Sequence, residues 1–154
     1  MQKIGLKTMC GLFALVAIAF FVNAANAQDA RGKEYTKAEI GEVVKRVEER
    51  SNEFVESFNK SLDKSVLEDS RREDNVNERA RQLEDAADKL RKEFEKRENW
   101  QAGKNEVENC LVYARAVNKT MRKRNLDKVT EEKWNDLRFE LNTLAKIYGL
   151  IEIR

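Results

Sequence analysis

Arg138 and Asn142 stand four residues apart in the stretch WNDLRFELNTLAKIYG, Trp134 to Gly149. On a helix that spacing puts both polar side chains on one face, where together they could hold an anionic ligand. The same stretch repeats Trp134, Leu137, Leu141, Leu144 and Tyr148 in steps of three and four. These five could line an apolar pocket, but such spacing first describes a helix face that enters a core. A Trp N–H and a Tyr O–H can then reach water or backbone while the rings pack. Arg138 and Asn142 fall at the edge of that seam. The simpler expectation is a hydrogen bond across to a neighbouring helix, or a reach to the acidic trio Glu84, Asp85 and Asp88, because an interhelical Arg–carboxylate pair can fix helix register.

Three other groups could do chemistry. Glu84, Asp85 and Asp88 are hard oxygen donors of the kind calcium takes. They sit among Arg81, Lys89, Arg91 and Lys92, so a salt-bridged, solvated face is the better reading. RKRN, Arg122 to Asn125, could touch phosphate or an anionic membrane surface. At the end of a helix the same residues complement the negative pole of its dipole. Cys110 could be a reactive thiol, but it falls at a seam position, where a cysteine behaves as a small apolar side chain. There is no histidine among the 154 residues. That excludes C-x-x-C-H haem attachment, His-ligated zinc, Glu-x-x-His di-iron sites and Ser–His or Cys–His dyads. No cofactor is expected.

The elements that position these residues are helices. The chain has no proline, six glycines and 38% charged residues, a composition that favours helix nearly throughout. Four segments emerge. The first, 36–66, opens on TKAE, where Thr36 and Glu39 form a capping box and Tyr35 and Ile40 a hydrophobic staple. Its seam is Ile40, Val44, Val47, Ser51, Phe54 and Phe58. The second, 70–100, opens on Ser70 and Glu73 and carries Val76, Ala80, Leu83, Ala87, Leu90 and Phe94. The third, 105–124, starts at Asn105 and carries Val107, Cys110, Ala114, Val117 and Met121. The fourth, 130–148, starts at Thr130 with Val129 and Trp134 as staple, and Gly149 stops it. The first two segments could also be one helix over 36–98. Continuing the first seam to 65, 69 and 72 brings Asp69 and Arg72 inward, which favours a turn at 65–70. The fold expected is all-α: an antiparallel up-down four-helix bundle over 36–149 with coiled-coil-like heptad seams. LIEIR, residues 150–154, follows as a tail that packs back.

Ahead of the helices lies a different kind of sequence. Lys3 and Lys7 precede a 12-residue apolar run, Gly11 to Val22, and Ala25 and Ala27 stand as A-x-A. That is the three-part pattern of a secretory signal peptide over 1–27, cleaved after Ala27, with 28–35 as a flexible leader. The run is short for a membrane-spanning helix, which needs about 20 residues, although an uncleaved anchor is the alternative. Cys10 precedes the run, which excludes a lipoprotein site. The whole chain has 30 basic and 28 acidic residues; without Lys3 and Lys7 the balance is 28 to 28. Such a surface argues against a nucleic-acid binder. Cys110 alone remains after cleavage, so no intramolecular disulfide can form.

RREDNVN, LEDAADKLRKEF, MRKRNL and WNDLRFELNTLAKIY together resemble an uncharacterised group of small exported helical proteins of environmental bacteria, over residues 35–148. The resemblance implies export and an all-helical fold and brings no catalytic residues. The expected function is therefore non-catalytic: binding or scaffolding in the cell envelope, by way of an unknown protein partner or self-association. Nucleic acid is not expected as a partner, and membrane contact is expected only through the signal peptide. The alternative is a periplasmic carrier that holds a small apolar or amphipathic ligand between its helices, suggested by Phe54, Phe58, Phe94, Trp134 and Tyr148.

Overall fold

The computed structural model describes residues 34–63, 71–124 and 126–154, with the side chains of 71–74 left aside. The described chain is all-helical, with four α-helices: α1 Lys37–Asp63, α2 Arg71–Lys96, α3 Lys104–Met121 and α4 Lys128–Ile147. A short 3-10 turn, Trp100–Gly103, joins α2 to α3. The signal-peptide segment, the 65–70 turn and the Ser70–Glu73 box lie outside what is described.

Local sequence accounts for the helix ends. Thr36 caps α1 as expected: the Glu39 N–H donates to Thr36 Oγ1 at 3.2 Å, and the Thr36 N–H donates to Glu39 Oε2 at 2.9 Å. α2 stops at Lys96, earlier than the expected 100, and Asn99 caps the 3-10 turn that follows. α3 begins at Lys104 behind Gly103, which has no side chain to cap with, so Asn105 is an exposed residue inside the helix and not its cap. α4 begins two residues before Thr130. Its cap is Asp127, whose carboxylate accepts the Thr130 N–H at 3.0 Å. The expected Val129–Trp134 staple is absent, because Val129 is exposed while Trp134 is buried.

Gly149 ends α4 with a φ of 62°. The Leu150 N–H donates to the Ala145 carbonyl at 2.7 Å and the Gly149 N–H to that of Lys146 at 3.3 Å. These are the paired bonds of a Schellman motif.

All the seam residues are buried save Met121, which is half-buried against the core. Phe54, Phe58, Leu83, Leu90, Cys110, Leu137, Leu141 and Leu144 are sealed from solvent, and Phe94, Trp134 and Tyr148 nearly so. α1 packs on α2 and on α4, and α3 packs on α2 and more lightly on α4. The start of α1 meets the end of α2, where a Cβ at Gly41 would stand 3.3 Å from Phe94 Cε1. Along α1 and α4, Arg46 meets Glu140 and Ser57 meets Thr130. Phe54 joins the two helices, with its ring centroid 5.2 Å from both Phe58 and Trp134.

At one end of the core Trp100 is buried and meets Tyr148 edge-on at 5.4 Å. The Tyr148 hydroxyl donates to the Trp100 carbonyl at 2.8 Å. Gly103 lets the backbone approach closely here, since a Cβ in its place would sit 3.1 Å from that hydroxyl.

Candidate functional site

Arg138 does not reach the acidic trio. It is half-buried, and its guanidinium donates to Asn135 Oδ1 at 3.1 Å, one turn back on its own helix. α2, which carries Asp85 and Asp88, packs on α1 and α3, so the trio lies beyond the reach of α4. Asp85 and Asp88 are exposed. The Glu84 carboxyl is pushed up from its ordinary value by partial burial, with Asp88 and Asp85 adding to the effect and Arg81 opposing it. Among the described residues no cluster of acidic or thiol side chains is placed to hold a metal ion.

The interhelical Arg–carboxylate pair exists on other residues. Glu140 of α4 is only 3% exposed. Arg46 of α1 grips it with Nε at 3.0 Å and Nη2 at 3.2 Å, and Arg50 adds a contact at 3.0 Å. The hydrogen bond that Arg46 donates to Glu140 leads in raising the Arg46 pKa further. Nothing in the α4 pattern singles out Glu140: it adjoins Leu141, and its partners lie 94 residues earlier.

Asn142 serves the tail. Its Oδ1 accepts the Ile153 N–H at 2.7 Å and its Nδ2 donates to the Ile153 carbonyl at 3.1 Å. One side-chain amide thus replaces the neighbouring strand that the extended backbone lacks. From α3, Arg115 donates to the Ile151 carbonyl and Asn118 to the Arg154 carbonyl. Ile153 is 4% exposed and belongs to the core. The tail is therefore a wedge between α3 and α4, where the two helices pack more lightly.

Beside this wedge runs an open groove of about 800 Å³, lined by Arg115 and Lys119 of α3, by Arg122 and Lys123 just after it, and by Arg154 of the tail. The expected RKRN cluster supplies two of the five cations. Its Arg124 does not line the groove, and Asn125 lies outside the described residues. Arg115, Lys119 and Arg154 were not marked out by sequence, because only the returning tail brings them together.

Cys110 sits within the core, and burial pushes its thiol up to about 12. No helix among the described residues is long and apolar enough to cross a membrane. No family model, curated protein or solved structure matches this chain.

Proposed function

We propose that this chain is an exported, non-catalytic protein that binds or scaffolds through its surface, built as an antiparallel up-down four-helix bundle with coiled-coil-like seams. Residues 1–27 serve as its signal peptide, in keeping with their charge and apolar pattern and with the resemblance to small exported helical proteins. The observation that carries the binding reading is where the aromatic side chains lie. Phe54, Phe58, Phe94, Trp134 and Tyr148 are all buried in one core. Phe54 packs on both Phe58 and Trp134 at 5.2 Å. A carrier would need those rings to face a ligand; here all five are buried in the core. The one thiol that export would leave is also inside the core, so recognition falls to the exposed faces.

Two measurements test this. Intact mass of the exported protein should show that residues 1–27 are gone; a mass that retains them overturns the export reading. In-cell crosslinking followed by native mass spectrometry should give a defined protein partner or a stable self-complex. A reproducible small molecule held within a monomer would instead establish the carrier.

A further inference from the structure

We propose that the groove between α3 and the tail is a binding site for a phosphate-bearing anion that carries more than one negative charge. The proposal deepens the surface-binding reading and rests on it.

The first support is charge pairing. Several cations elsewhere have a carboxylate beside them: Lys45 has Glu49, Lys60 has Glu56, Arg91 has Glu95 and Lys133 has Glu53. Arg115, Lys119, Arg122, Lys123 and Arg154 line one groove, and none of them has an ion-pair partner among the described residues. Glu152 is the one acidic side chain of the lining, and it is engaged by Lys146 at 3.4 Å.

The second support is position. A helix dipole attracts cations only in its last turn. α3 ends at Met121 with Lys119 in its last turn, so the dipole accounts for Lys119, Arg122 and Lys123 but not for Arg115. Arg115, Lys119 and Arg122 follow at steps of four and three along one helix face. They span seven residues, or about 10 Å at the rise of an α-helix. That length suits a group with several charged oxygens better than a single carboxylate.

The third support is preorganisation. Arg115 is tied to the Ile151 carbonyl, and the tail that carries Arg154 is tied to Asn118 and Asn142. The guanidinium forks of Arg115, Arg122 and Arg154 match phosphate oxygens, and the lysines add point charge. The groove's size is that of a small-ligand site.

The test uses the purified protein with inorganic tripolyphosphate as probe, by isothermal titration calorimetry at low ionic strength. A second arm measures cosedimentation with vesicles of phosphatidylglycerol in phosphatidylcholine. Tripolyphosphate should bind, and added salt should weaken it. The Lys119→Glu/Arg122→Glu pair should weaken binding about tenfold or more, as expected for loss of charge-assisted contacts. Lys123→Glu alone should give a smaller loss, and serves if the pair melts at a lower temperature. A control pair on exposed α2 and α3 residues outside the groove, Lys92→Glu/Lys104→Glu, should leave binding unchanged. Vesicle binding that is lost in the same variants would name a lipid headgroup as the source of the phosphate; tripolyphosphate binding without it would name a soluble one. The proposal is overturned if neither probe binds, or if the control pair loses as much as the groove pair. A protein partner captured in the same preparations would then leave the surface-binding reading standing.

Discussion

Glu140 and Cys110 are the two buried residues whose chemistry is most constrained. Glu140 is held by two arginines, with Arg46 41% and Arg50 31% exposed. Because solvent screens that side, the attraction is modest, but an amide in place of the carboxylate would still leave a buried group poorly matched to two cations. Glu140→Gln should lower stability by about 1–3 kcal/mol in urea unfolding, with an unchanged m-value. Cys110 should resist thiol reagents until the chain unfolds; rapid labelling of the folded protein would refute its burial. Its thiol is raised from 9.0 to about 12, which has a sign in stability. Above about pH 9 the unfolded chain releases the proton and the folded one keeps it, so stability is full below that pH and falls as pH rises from 9 towards 12. Cys110→Ala should show a shallower decline over that window in pH-dependent melting.

At the scale of helices and turns, the caps are local and so were mostly open to reading. Thr36 and Glu39 complete each other within four residues, and both partners are in the sequence window that names the motif. α4 was read less well, because Asp127 and Thr130 are both good cap residues, and the expected start fell at the second. The structure joins them, with Asp127 accepting from both the N–H and the hydroxyl of Thr130. Asp127 is held below its usual value chiefly by the Thr130 N–H. A depressed carboxylate contributes stability above its unfolded value near 3.8, and that contribution is lost as pH falls through the folded value. Asp127→Ala should therefore cost about 1 kcal/mol at neutral pH, and the gap to the native protein should narrow in melts below about pH 4. Gly149 was legible for the same local reason. Its φ of 62° leaves open space around a new Cβ, so Gly149→Ala tests backbone strain alone and should cost about 1 kcal/mol, read as a lower melting temperature.

At the scale of the whole molecule, the seams were legible because burial follows a period of three and four that any helix shows in sequence. The connections between seams were not, since a period says which face goes inward and not which helix it meets. Asn142 illustrates the gap. Its place at the seam's edge was readable, but its partner, Ile153, is set by a tail that turns only after Gly149. Asn142→Ala should free that tail. Hydrogen exchange at the Ile153 amide should become fast, while amides in the middle of α1 keep their protection; continued slow exchange at Ile153 would show that burial alone holds the tail.

The Arg46–Glu140 contact also has a consequence in time. Its two halves are separated by 94 residues of chain. At the usual pace of synthesis, about 5–20 residues per second, α1 waits roughly 5–20 s for the helix that covers it. During that interval one apolar face of α1 has no partner, and the core cannot close. If export by the proposed signal peptide requires an unfolded chain, the delay keeps the molecule open while passage is under way. A version permuted so that α4 is made next to α1 should fold sooner and be exported less completely, read as precursor left inside the cell.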